Sequence, residues 1–309
     1  MDRSGSRSDA MLKRTLFFGS PGKLSVKNTL LCYTPWDKDE NQATRTFPLE
    51  DLGCVVVESM QMTLTSYCIS VLAENNIMLL FCDSSHMPAA ETLPFSGNSL
   101  TGKHTAAQLD STPALKGRLW KQTVQAKIIN QAGCLTSLGI EDKKLRIIAG
   151  TTRSGDHENC EAVAARHYFK LLGMDDPFLR EREGEPPNNA LNYGYAILRA
   201  ACARALTGSG LLCCVGIHHS NQYNAFALAD DIMEPYRPFV DEMVFSEREF
   251  FSVPELRREH KARLLQILVR DVQLKEERRP LSNVLSFTSA SLVRCFLREE
   301  NTLVFPEFP

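Results

Sequence analysis

Residues 112–128 read Thr112-Pro113-Ala-Leu115-Lys-Gly-Arg-Leu119-Trp-Lys-Gln-Thr-Val124-Gln-Ala-Lys-Ile128, and this stretch divides the chain. The Thr112 hydroxyl can cap a helix, and proline is tolerated at the first helical position. Leu115, Leu119, Val124 and Ile128 then recur at near-helical spacing. Upstream the pattern is different. Leu12–Phe18, Lys23–Tyr33, Gly53–Glu58 and Ile77–Cys82 are short runs rich in Leu, Val, Phe and Thr, separated by Pro21-Gly22, Pro35 with Asp37, and Asn75-Asn76. These read as strands between turns, with one short helix over Thr65–Glu74.

The expectation is an α+β chain: a small N-terminal β domain (11–88), a polar linker (89–111), and a larger all-α domain (112–309). Downstream helices are expected near 156–172, 188–207, 224–243, 254–268 and 283–299, with Gly173 and Gly208 at C-caps and Ser252 before Pro254 as a start signal. Residues 1–10 are polar and are read as a disordered extension.

The chain has 309 residues, 43% hydrophobic, enough for a sizeable core in about two domains. No apolar run suggests a membrane span, and the start lacks a secretory h-region, so a cytoplasmic protein is expected. The ten cysteines include no C-x-x-C pair and sit mostly in apolar runs, which suits buried thiols in a reducing compartment. Net charge is −2, unevenly spread. Residues 28–111 carry three basic against ten acidic side chains, and residues 112–170 carry ten against five. A basic face is therefore open to the second half, and the acidic segment suits protein contact better than DNA.

Two stretches carry candidate chemistry. In Gly155-Asp156-His157-Glu158-Asn159-Cys160-Glu161, Asp156 can cap a helix and Glu161 falls one turn in. Ala164, Ala165, Tyr168 and Leu172 follow on the same face, so a carboxylate heads an apolar stripe. That is costly unless it is paired or cation-bound. An acid favoured by the helix dipole is the plainer reading. The second stretch, Gly216-Ile217-His218-His219-Ser220-Asn221, leaves an apolar run and precedes Asp230, Asp231 and Glu234. Three carboxylates so close repel one another unless a cation offsets them; a solvated acidic face is the alternative. Pro235 leaves the Asp231 carbonyl without its helical partner and favours a kink. One imidazole with several carboxylates suits Mg²⁺ or Mn²⁺. The phosphate loop of ATP-driven enzymes and the serine-hydrolase elbow are both missing from the sequence. Asn192 either hydrogen-bonds near this site or joins helices. Lys121, Lys127, Arg153 and Arg166 are candidate DNA phosphate contacts or plain solvated charges.

The strings at 155–162, 189–198 and 216–241 closely resemble the CRISPR-associated adaptation integrase family, the first-numbered Cas proteins, and Leu-Lys-Arg-Thr-Leu-Phe-Phe-Gly (12–19) looks like its type II branch. The resemblance implies Glu161, His219 and Glu234 as metal-binding catalytic residues, with Asp230 and Asp231 beside the metal. His218 stands where relatives often carry an apolar residue, and Cys160 where an Arg is common. It further implies double-stranded DNA as substrate, with a 3′ hydroxyl attacking a phosphodiester at the repeat boundary. A homodimer joined through the β domains, a second-numbered Cas subunit and the type II effector nuclease are the implied partners. A metal-dependent nuclease using water, and a non-enzymatic DNA-binding protein, are the alternatives.

Overall fold

A computed structural model describes residues 14–36, 43–93, 98–141, 143–173, 178–181 and 183–308. The stretch 1–10, read as an extension, lies outside the described residues.

The N-terminal part holds β1 (Arg14–Phe18), β2 (Gly22–Lys27), β3 (Leu30–Pro35), β4 (Arg45–Pro48), β5 (Leu52–Val57), β6 (Met62–Leu64), α1 (Ser66–Glu74), β7 (Met78–Cys82) and β8 (Pro88–Glu91). They form two four-stranded sheets, ordered β1-β5-β7-β8 and β4-β3-β2-β6. The run Lys23–Tyr33, read as one strand, is a hairpin. Asn28 adopts a left-handed φ of 55°, which asparagine tolerates, and Lys27 pairs back with Leu30.

A mostly helical part follows: α2 (Thr101–Leu109), α3 (Pro113–Ser137), α4 (Lys144–Thr151), α5 (Cys160–Leu172), α6 (Asn188–Gly208), α7 (Ala227–Met233), α8 (Arg237–Ser246), α9 (Arg248–Phe251), α10 (Arg258–Leu265) and α11 (Leu281–Phe296). One antiparallel hairpin, β9 (Asp271–Leu274) with β10 (Glu277–Pro280), interrupts it, where helices alone were expected. The stretch read as a linker contains α2. Gln108 fastens α2 to the helical part by donating to the Leu212 and Val215 carbonyls at 3.0 and 2.8 Å. Helix α10 begins at Arg258 rather than at the Ser252 signal, with His260 Nδ1 accepting from the Arg257 N–H at 2.9 Å.

Strand β5 shows how the two parts join. Leu52, Val55 and Val57 point into a core shared with Leu24 and Leu31 of the other sheet, while Cys54 and Val56 point into the large helical core. Strands β1, β5 and β7 run parallel, and a parallel sheet buried on both faces reads as a continuous apolar run, as Val55-Val56-Val57 does. At this junction Lys261 of α10 pairs with Glu58, which His86 also approaches at 3.5 Å. Nearby, both carboxylate oxygens of Glu91 are buried without a hydrogen-bond partner. Burial pushes the Glu91 carboxyl up to about 8, with Arg204 pulling the other way.

Helix α3 is the axis of the helical part. Thr112 Oγ1 caps it by accepting from Leu115 N at 3.2 Å. The C-terminal tail returns across its middle. Asn130 donates from Nδ2 to the carbonyls of Pro235 and Pro306 at 2.7 and 2.9 Å, and the Phe308 ring stacks on Phe239 with centroids 4.2 Å apart. Gly133 makes room for that ring, since a Cβ there would lie 2.5 Å from Phe308 Cβ.

Candidate metal centre

Three polypeptide segments meet against α3. The first is the start of α5. Gly155, Asp156 and Asn159 all take positive φ, at 78°, 48° and 52°, which folds the preceding loop back over the helix. The Asp156 carboxylate then accepts from the N–H groups of Cys160 and Glu161 at 2.8 and 3.0 Å. The cap expected from Asp156 is thus made, from just outside the first turn, and it fixes where Glu161 emerges.

The second segment is the loop 216–219. Fully buried Asp231 of α7 accepts from the backbone N–H groups of Ile217, His218 and His219 at 2.7, 3.0 and 3.2 Å. It also takes Nδ1 of His219 at 2.5 Å. A carboxylate accepts, so Nδ1 carries a proton, and in the neutral ring the lone pair is on Nε2. That hydrogen bond raises the His219 pKa; burial opposes it, and the charges of Asp231, Glu234 and Asp230 add to it. The His218 ring lies flat on the buried Trp120 indole, with centroids 4.1 Å apart and planes 1° from parallel. Gly216 is required, because a Cβ would fall 2.4 Å from the His219 carbonyl oxygen and 2.7 Å from Asp231 Oδ2.

The third segment is the break between α7 and α8. The helix expected over 224–243 starts at Ala227 and is interrupted by a 3-10 turn at Glu234–Tyr236, where Pro235 lacks an N–H. Glu234 is buried at this break. Arg237 Nε meets its Oε1 at 2.9 Å, and Lys127 Nζ meets its Oε2 at 2.5 Å. Burial alone would raise the Glu234 pKa, but Arg237 and Lys127 outweigh it and hold the carboxyl low. The same Lys127 ammonium lies 2.6 Å from Glu161 Oε1. Glu161, from α5, and Glu234, from the break between α7 and α8, therefore converge on one cation.

The remaining candidates are distributed around this core. Asp230 is held by Nε and Nη2 of Arg199 at 2.6 and 2.5 Å and by Asn224 Nδ2 at 2.8 Å. Asn192 accepts from Arg180 at 2.8 Å. Lys121 is half-buried; Arg153 and Arg166 are exposed, with Glu158 3.5 Å from Arg153. Lys127 is 8% exposed, so its ammonium faces carboxylates rather than an open surface. Sequence reasoning did not foresee Lys127 as the bridge, nor the Trp120–His218 stack. Arg237 was readable as the i+3 partner of Glu234.

Among the described residues, no group of three or more His, Cys, Asp and Glu side chains stands ready around one ion position. The donors nonetheless fit a hard divalent cation. Two carboxylates already share one positive charge, and Glu234 Oε2 is buried with no directed hydrogen bond, meeting Lys127 only as an ion pair. The imidazole beside them has its other nitrogen secured by a carboxylate, the usual backing of a metal-binding histidine.

The family model for CRISPR associated protein Cas1 matches residues 16–249. The chain belongs to the Cas1 family. A CRISPR-associated endonuclease Cas1 from Neisseria meningitidis serogroup C (strain 8013) is 38% identical over 233 residues, covering 75% of this chain and 74% of that protein. Among solved structures, a casposase bound to integration product superposes with a TM-score of 0.75 at 20% identity, covering 94% of this chain and 92% of that one. A Cas6-RT-Cas1–Cas2 complex gives a TM-score of 0.69 at 20% identity, covering 97% of this chain and 36% of that one. The β-then-helical layout is thus the Cas1 fold, as the sequence strings implied. No helix among the described residues is long and apolar enough to cross a membrane.

Proposed function

We propose that the chain is a metal-dependent DNA integrase and endonuclease of CRISPR spacer acquisition. One observation carries this: Glu161 and Glu234 meet at one cation, and the His219 imidazole, held at Nδ1 by Asp231, lies close enough to Glu234 to interact with its charge. In the reaction, a DNA 3′ hydroxyl oxygen bonds to a repeat-boundary phosphorus, the original bridging P–O bond breaks, and no ATP is used. Glu161, His219 and Glu234 would hold Mg²⁺ or Mn²⁺, which polarises the phosphodiester and eases charge on the attacking and leaving oxygens.

The protein's own contribution is positional. Asp231 holds the loop through the N–H groups of Ile217, His218 and His219 and orients the His219 ring through Nδ1. Asp156 pins the turn that presents Glu161. Arg237 holds one oxygen of Glu234 and leaves the other directed at the shared position.

Water in place of the hydroxyl turns the same site into a nuclease, and the endonuclease name of the Neisseria relative favours keeping that reading. An assay that scores joined against merely cut DNA, with Mn²⁺ or chelator present, separates the two. Joining that persists in chelator, or in both Glu161→Gln and Glu234→Gln, sinks the metal-dependent reading. Double-stranded DNA, a second copy of the chain joined through the β part, a Cas2 subunit and the type II effector nuclease are the proposed partners, in the cytoplasm. The Cas1–Cas2 complex among the structural neighbours supports the Cas2 assignment.

A further inference from the structure

Lys127 is an unusual residue to find in the middle of a packed helix. Its side chain reaches from α3 into the gap between α5 and the α7–α8 break, and it is 8% exposed. Burial of an ammonium without partners is expensive, and here two carboxylates surround it. The four charges of Lys127, Arg237, Glu161 and Glu234 cancel, so the cluster is neutral as it stands.

A metal ion binding Glu161 and Glu234 would sit about 2.0–2.2 Å from their oxygens. Lys127 Nζ is already 2.6 and 2.5 Å from one oxygen of each. Both cations cannot occupy that space, and their mutual repulsion in a buried site is strong. A lysine, unlike an arginine fork, carries its charge on a flexible four-carbon stem that can swing away.

Resting on the metal-dependent reading above, we infer that Lys127 is a built-in occupant of the divalent-cation position. Its ammonium neutralises Glu161 and Glu234 in the metal-free chain, and metal binding expels it.

The test is Mn²⁺ affinity of the full chain, read from the electron paramagnetic resonance signal of free Mn²⁺. Lys127→Met should bind Mn²⁺ at least tenfold more tightly than wild type, and Lys127→Arg should not. Unchanged or weaker binding by Lys127→Met overturns the inference. Should that variant fail to fold, the wild-type chain is acylated with an amine-reactive reagent in chelator and in Mn²⁺, and Lys127 is followed by mass spectrometry. Labelling should rise severalfold with Mn²⁺; equal labelling overturns the inference. An absence of Mn²⁺ binding by both wild type and Lys127→Met removes the metal reading itself. Binding by wild type with no gain in the variant removes only the role of Lys127.

Discussion

Two lysines in this molecule are almost equally buried, Lys127 at 8% and Lys261 at 7% exposure, yet their partners differ. Lys261 and His86 share one carboxylate, Glu58, where the sheet meets α10. Lys127 is shared by two carboxylates, one of which also meets Arg237. The first cluster has bases to spare and suits a fastening between layers. The second sets two carboxylates against Lys127 and Arg237, and suits exchange of the ammonium for a divalent ion. What separates the two is the number of carboxylates on the ammonium, one against two, since burial and the ion pair are common to both.

The contrast can be broken most sharply at the two-carboxylate cluster. Glu161→Gln and Glu234→Gln keep size and remove charge. Each should lower strand joining by on the order of 10²–10³-fold with the thermal unfolding transition retained. Full joining in either variant removes that residue from the chemistry.

At the other cluster the effect should fall on stability. Lys261→Met leaves Glu58 poorly compensated and should cost about 3 kcal/mol, measured by denaturant unfolding. Adding Glu58→Gln should recover most of the loss, while joining activity below the melting point stays near wild type. A double variant as unstable as the single one would mean that packing, rather than charge, decides this position.

Asp231→Asn should reduce joining by about 10–100-fold, because it disturbs the ring orientation without removing a ligand. A change of less than twofold would show that the loop hydrogen bonds alone hold His219.

The smallest effect is expected from Glu91, at the sheet–helix junction. Its carboxyl titrates at about 8 in the folded chain, above an ordinary 4.5, because it is buried. The folded chain therefore keeps a proton that the unfolded chain loses. This contribution to stability is complete below 4.5 and is lost as pH rises through about 8. Glu91→Gln should flatten that decline, by roughly 1–3 kcal/mol at pH 9. Identical pH–stability curves would mean the carboxylate finds water or Arg204 once ionised.

Much of the fold was legible where local chemistry decides it. Thr112-Pro113 opens α3, Thr65 caps α1, and Pro235 breaks the helix that would otherwise join α7 to α8. Elements without such marks escaped notice. Strand β6 has three residues, and helix α2 reads as polar linker because only His104 and Gln108 of its side chains are buried. Gly208 ends α6 as expected, but the left-handed turn belongs to Gly210, with φ 77°. At the site, the strings around Glu161, His219 and Glu234 made those residues visible, while Lys127 looked like one more surface cation. Its two partners lie 34 and 107 residues further along the chain, and no local period connects them.

The returning tail has a consequence for the site. Through Asn130, the carbonyl of Pro306 shares one amide group with the carbonyl of Pro235, next to Glu234. Lifting Phe308 off Phe239 would strain the Glu307 pairing with Gln273 of β9 and slacken the elbow that aims Glu234. A change in this segment therefore reaches Glu234 by way of Asn130 and Pro235.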